Sequence, residues 1–457
     1  MRGVLPILTF EDAILGPLYF LILLSIVILW KEKYYKNSPI GKYIIPLFLL
    51  KIASCVFLAC LYHFYYGYSD SQLYFTGGRE IYNATIANPK YGMELLFKPF
   101  NDCSAHAQQF AQYLDLDYGS VNTIAMYKVT GFLSLFCFGA YLPIAFLFTM
   151  AALIGSWRLF LVFYEEYPNS RKLIAISCLF APSILLWGTN ILKDPICLFA
   201  LSLCFTALYK LIKRKFRFIN LIEVIFGATI LLTFKGYIFY LFIAAAIPAL
   251  YLSYIKSITN GFLKIVFHTF IFITIIIAFL WINNNENLLS SLITNNFIEA
   301  TRSIQLIQQT DETTTSSYII PNVTDFSPLG IISSYLLSLN VALFRPYLWE
   351  IRNPLMILSA LESFAVLLAT AFLLFKTKVI GFFSFTYKNP VLFFALIYTL
   401  LLAALAGFVS FNFGTLSRYK LPCLPFYFTY LALLYDKTKK PKSFKHSVSS
   451  QKLAILN

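Results

Sequence analysis

Ala181-Pro-Ser-Ile-Leu-Leu-Trp-Gly-Thr-Asn-Ile-Leu-Lys-Asp-Pro-Ile196 joins two apolar runs through one charged corner. An apolar helix is expected up to Trp187, a loosened backbone at Gly188-Thr189-Asn190, and a second apolar helix from Lys193-Asp194 onward. Pro195 suits the first turn of that helix, where its missing N–H is not needed, and Asp194 suits the end where the helix dipole stabilises an acid. The flanking runs, 172–189 and 194–212, are each long enough to cross a bilayer. A charge at the bilayer centre costs roughly 2.5–3.5 kcal/mol on insertion scales, so Lys193 and Asp194 belong at a membrane face or in a wet cavity. A capped hairpin with a surface ion pair explains these residues alone equally well, so the rest of the chain decides between the two.

Outward from the corner the composition is that of a membrane protein. Hydrophobic residues make up 59% of the chain and charged ones 12%, about half the share of an ordinary soluble domain. Eleven apolar stretches read as spans, at about 13–30, 43–62, 141–163, 172–189, 194–212, 218–234, 237–255, 263–282, 354–375, 390–409 and 421–435. The expected fold is therefore all-α: one polytopic transmembrane helical bundle over 1–435, followed by a basic tail at 436–457 too polar to pack. Lys51 lies inside the second span and must snorkel or face the bundle. Two long loops interrupt the spans, at about 63–140 and 283–353. Their apolar ends, 122–140 (broken by Gly131 and Gly139) and 329–345, read as helices at the membrane interface, whereas 308–317 is polar enough to stay mobile.

The net charge of +15 points to orientation, not to nucleic acid. Most Lys and Arg fall in short loops on one side, among them Lys31, Lys33, Arg171, Lys172, Lys213, Arg214, Lys215 and the tail lysines. By the positive-inside pattern that side is the cytoplasm, which leaves the N-terminus and both long loops outside and the C-terminus inside. The first span is preceded by Glu11-Asp12 and not by a basic region, so no cleavable signal is expected. The eight cysteines form no C-x-x-C and no paired spacing. Asp115-Leu-Asp117 has the spacing of a metal-binding pair but stands far from the other polar motifs and reads as a solvated turn.

Asp70, Lys193, Asp194, Lys235, Arg345, Glu350, Arg352, Arg418 and Lys420 all fall at outer span ends or in the membrane-proximal parts of the outer loops. Outer cations oppose the orientation rule, and a lipid-linked phosphate or diphosphate bound at that interface would account for them. Each has a plainer explanation: Asp70 could cap the helix after it, Arg345 and Glu350 could form an ion pair pinning a re-entrant helix, and Lys235 could snorkel at a span end.

Four motifs occur in order: an acid after an early span (Asp70), Pro-Ser-x-x-x-Trp-Gly-x-x-x-x-Lys-Asp over 182–194, Phe-Arg-Pro-Tyr-x-Trp-Glu over 344–350, and Gly-x-x-x-Arg-Tyr-Lys over 414–420. Together they resemble a bacterial membrane-protein group of surface-polysaccharide loci, similar to the GT-C superfamily of polyprenyl-phosphate-sugar-dependent glycosyltransferases. The resemblance runs over roughly 60–435. It implies a multi-span bundle in the bacterial inner membrane with an active site open to the outside and an acid in the first outer loop as general base. That acid is Asp70 here, and Asp194 matches the second acid at the start of a later span. Better-known members carry a folded outer domain after the last spans, where this chain has its basic tail.

The chemistry is consistent with that implication. Transfer from a lipid-phosphate sugar passes through an oxocarbenium-like transition state, with a carboxylate taking the proton of the attacking hydroxyl. Asp70 suits the base; Lys193, Lys235, Arg345 and Arg418 suit the departing phosphate, and Asp194 or Glu350 could orient them. The expected partners are a polyprenyl-linked sugar donor, a glycan or lipid-linked acceptor and membrane lipid, with a divalent cation the one cofactor left open. A polysaccharide polymerase or ligase using a diphosphate-linked oligosaccharide would need the same outer arginines. A lipid-linked sugar flippase would instead place charges near the midplane of broken helices, and no internal repeat supports it.

Overall fold

The computed structural model describes residues 7–67, 69–111, 121–257, 318, 328–387 and 389–439. Among these the chain is helical and contains no β-strand. Among the described residues, seven helices are long and apolar enough to cross a membrane: Phe10–Tyr35, Gly41–Tyr66, Tyr141–Glu166, Lys193–Ile212, Phe218–Ile255, Pro354–Tyr387 and Pro390–Val409. The span expected at 263–282, the segment 308–317 and Asp115-Leu-Asp117 lie outside the described residues, as does 440–457 of the tail.

Three of the expected boundaries change. The run 172–189 is not one helix but two, Arg171–Leu179 and Pro182–Leu186. Pro182 has no N–H to donate backwards and crowds the residue before it, and Ala181 is accordingly extended (φ −64°, ψ 135°). Nine residues of helix reach only about 14 Å, half the hydrocarbon thickness, so neither piece is by itself long enough to cross. The runs 218–234 and 237–255 form one element kinked at Lys235 (φ −149°, ψ 71°). The last apolar run, 421–435, is a short 3-10 turn followed by a helix that continues to Lys439 and takes in the first residues of the expected tail.

The helices group into two compact units, Met1–Tyr240 with Ala432–Asn457, and Leu241–Leu431. In the first, α1 (Phe10–Tyr35), α2 (Ile44–Leu61), α8 (Arg171–Leu179) and α10 (Lys193–Ile212) pack around α7 (Tyr141–Glu166). Asp12 joins two helix starts. Its carboxylate accepts from the Thr9 N–H at 3.1 Å and from the Leu142 N–H at 2.7 Å, so it serves orphan donors of both α1 and α7. Between α2 and α7 the chain forms α3 (Asp70–Ala87), α4 (Pro89–Phe97), α5 (Ala105–Phe110) and α6 (Val121–Phe136). Gly131 does not break α6. It lies inside the helix, where a Cβ would come within 2.8 Å of Ile81, and a Cβ on the facing Gly78 would come within 2.9 Å of the Gly131 nitrogen. The two glycines let α3 and α6 approach backbone to backbone.

In the second unit α12 (Pro328–Phe344) packs on α14 (Pro390–Val409), which also contacts α13 (Pro354–Tyr387). Rings of Phe242, Phe394, Tyr398 and Phe426 stack or meet edge to face in its core. The short α15 (Phe413–Tyr419) follows α14 and precedes α16 (Leu424–Lys439).

Candidate functional site

The corner that opened the sequence reading is built from three polar anchors. The first is Lys51, fully buried, whose ammonium donates to the carbonyls of Ile184 at 2.9 Å and Gly188 at 3.4 Å. It therefore faces the bundle and does not snorkel. Its protons cover carbonyls at the end of α9 (Pro182–Leu186), which no further helical turn satisfies. A Cβ at 188 would stand 2.6 Å from the Ile184 oxygen and 2.9 Å from the ammonium, so only glycine leaves the lysine room. Thr189 next donates its hydroxyl to the Leu186 carbonyl at 2.6 Å, closing the turn.

The second anchor is Asn190, in the left-handed region at φ 64° and fully buried. Asparagine tolerates this conformation better than most residues. Its amide nitrogen donates to the Cys55 carbonyl at 3.1 Å, and its oxygen accepts from the Tyr141 hydroxyl at 3.0 Å. That hydroxyl is also 2.6 Å from Ser71 Oγ in the first turn of α3.

The third anchor is an ion pair. Asp194 Oδ1 lies 2.6 Å from Lys235 Nζ, and the two side chains are 0% and 7% exposed. The charge of Asp194 is thus met inside the protein by Lys235. Lys235 meets Asp194 at the kink of α11 (Phe218–Ser257), and its side chain does not run out to a span end.

Lys193 is held differently. Half-buried, it donates to Asn122 Oδ1 at 3.0 Å and its ammonium stands 5.3 Å from the centroid of the Tyr74 ring. Tyr74 lies one helical turn from Asp70 on α3, and residues four apart share a face. Asp70 is the first residue of α3 and half-buried, but it is not the cap. Ser69 takes that role, its hydroxyl accepting from the Gln72 N–H at 3.2 Å. The start of α3 thus bears Asp70, reaches the corner through Ser71 and Tyr141, and carries the ring under Lys193 in its second turn.

Arg345, Glu350 and Arg418 belong to the second unit. Arg345 Nε donates to both Glu350 oxygens, at 3.0 and 3.1 Å, and its Nη2 also donates to Glu350. Its guanidinium lies 4.9 Å from the Tyr318 ring centroid, 5.3 Å from Phe413 and 5.9 Å from Tyr347. Glu350 also accepts from the Tyr347 N–H at 2.8 Å. Burial pushes the Tyr318 phenol well above its usual range, and this protonated hydroxyl donates to the Ser410 carbonyl at 2.6 Å. Arg418 is half-buried on α15. Beside it in sequence, Lys420 is buried and donates to the Arg345 carbonyl at 3.3 Å and to Ser363 Oγ at 3.4 Å. Burial lowers this ammonium to about 8, against the pull of the nearby Glu362 carboxylate.

Several residues of these clusters escape a reading for charged motifs. Asn122, Tyr74, Tyr141, Ser71 and Tyr318 carry no charge and lie far in sequence from the groups they hold. Asn190 alone had a signal, an asparagine after glycine and threonine at a corner. Among the described residues, no group of three His, Cys, Asp or Glu could hold a metal ion. No family model matches the sequence, and no curated protein and no solved structure matches it.

Proposed function

We propose that the chain is an integral membrane glycosyltransferase that moves a sugar from a polyprenyl-phosphate carrier to an acceptor hydroxyl on the outer side of a bacterial inner membrane. The observation that carries this reading is Lys193. It is a half-buried ammonium held by Asn122 over Tyr74, one helical turn from the carboxylate-bearing Asp70. An acid at the start of α3 and a cation over the Tyr74 ring of the same helix supply both needs of the reaction. Asp70 accepts the proton of the attacking hydroxyl while the bond from the sugar to the phosphate oxygen breaks, and Lys193 meets the charge gathering on the departing phosphate.

Asp194 and Lys235 have a supporting part. Their buried pair fixes the start of α10, from which Lys193 projects. Arg345 and Arg418 belong to the second unit and are left out of this assignment; there Glu350 occupies the Nε and Nη2 side of Arg345 and orients it.

The test is Asp70→Asn in membranes supplied with a labelled polyprenyl-phosphate sugar. Ser69 is the cap, so the swap leaves the start of α3 capped and replaces the basic oxygen by an amide. Turnover is expected to fall by about 10²–10⁴ with donor binding nearly unchanged. Near-wild-type turnover at normal protein level would overturn the assignment. Consumption of a diphosphate-linked oligosaccharide in place of the monophosphate donor would replace the reading with the polymerase.

A further inference from the structure

The proton directions in the polar chain at the corner follow from chemistry alone. A backbone carbonyl only accepts, so the Asn190 atom facing Cys55 O at 3.1 Å is the amide nitrogen, and the oxygen faces Tyr141. The amide oxygen only accepts, so the Tyr141 hydroxyl spends its one proton there. Ser71 must then be the donor in the 2.6 Å contact with Tyr141. The order is Ser71 to Tyr141 to Asn190 to Cys55, each step with a single sense. It crosses four elements, α3, α7, the corner and α2, and Ser71, Tyr141 and Asn190 are all fully buried.

A buried chain with one allowed proton order has one geometry. Breaking a link leaves an orphan donor on one side and an orphan acceptor on the other, both fully buried. Ser71 is the neighbour of Asp70, and Asn190 stands three residues before Lys193. We propose that Ser71, Tyr141 and Asn190 are positioning residues that fix the first turn of α3, and with it the Asp70 carboxylate, against the corner bearing Lys193. This deepens the transferase reading and rests on it for the role of Asp70. The spatial tie stands on the hydrogen bonds alone.

Two variants test it. Tyr141→Phe keeps the ring, which meets Phe75 edge to face at 5.2 Å, and removes one hydroxyl. Asn190→Gly keeps the left-handed backbone and removes the side-chain bonds to Tyr141, Cys55 and Thr189, which separates the tie from backbone strain. In lipid nanodiscs, amide hydrogen exchange over residues 72–77 should be at least about fivefold faster in both variants than in the wild type, the size expected when a buried group loses its partner. In the transfer assay both should lower kcat with KM for the donor unchanged, because Asp70 does not bind the carrier. Wild-type exchange over 72–77 in both folded variants would overturn the tie. Faster exchange with unchanged kcat would overturn the positioning role. A wild-type protein that transfers no sugar would defeat the transferase reading, while the exchange measurement still decides whether the chain holds the Asp70 turn.

Discussion

Replacing Lys235 by methionine removes the ammonium from the carboxylate of Asp194, which has no exposed surface. At the observed 2.6 Å the Coulomb attraction is about 6 kcal/mol for an effective dielectric constant near 20, and the desolvation of two ions offsets much of it. The single variant should nevertheless lose about 3–5 kcal/mol, because the carboxylate stays buried without this cation. Asp194→Asn should lose a similar amount. The double variant Asp194→Asn/Lys235→Met removes both charges and should recover most of the loss, which gives a coupling of about 3 kcal/mol or more in the double-mutant cycle. SDS-driven unfolding in mixed micelles, followed by helicity, measures all four corners of the cycle. A coupling under about 1 kcal/mol is what exposed pairs show, and it would refute a dry, paired corner.

Lys420 makes a prediction about pH. Its ammonium is lowered to about 8 by burial, below the usual lysine value, so the unfolded chain binds the proton more tightly than the folded one. Below about 8 both states are protonated and folding bears the full cost of burying the charge. As pH rises from about 8 toward 10.5 the folded state releases the proton first, and stability should increase by up to about 3 kcal/mol, a gain that Lys420→Met abolishes. Unfolding midpoints that fall equally in both proteins over that window would contradict the buried amine. Gly78→Ala tests the close approach of α3 and α6: its Cβ would meet the Gly131 nitrogen at 2.9 Å, which cannot swing away, so a loss of about 1–3 kcal/mol in the same unfolding assay is expected, and wild-type stability would refute the contact.

The apolar runs at 13–30, 43–62, 141–163, 194–212, 354–375 and 390–409 were legible as helices because hydrophobic length carries that information directly. The run at 172–189 was misread because hydropathy sums side chains and ignores continuity. The backbone consequence of Pro182 falls on Ala181, a residue with no polarity to betray it. In the site, the charged members stood out because an ion in apolar sequence needs a reason. What each ion pairs with was not legible, since Asp194 and Lys235 are 41 residues apart and the kink at Lys235 brings them together only in three dimensions. Neutral groups were harder still. Tyr141 reads as one more aromatic at a span end, and only its hydrogen bonds to Ser71 and Asn190 set it apart.

The lysine in the middle of α2 also bears on the order in which the molecule is made. Lys51 leaves the ribosome 133 residues ahead of Ile184, the nearer of the two carbonyls that take its protons. Through that interval the second helix carries a cation whose cost at mid-bilayer is roughly 2.5–3.5 kcal/mol and whose compensation has not yet been synthesised. Its insertion is therefore provisional, and the arrival of 184–188 completes it. A nascent chain halted before Ile184 exposes that unmet charge, while one halted after Gly188 can hide it. The second helix thus depends on the end of the ninth for the partners of its one ammonium group.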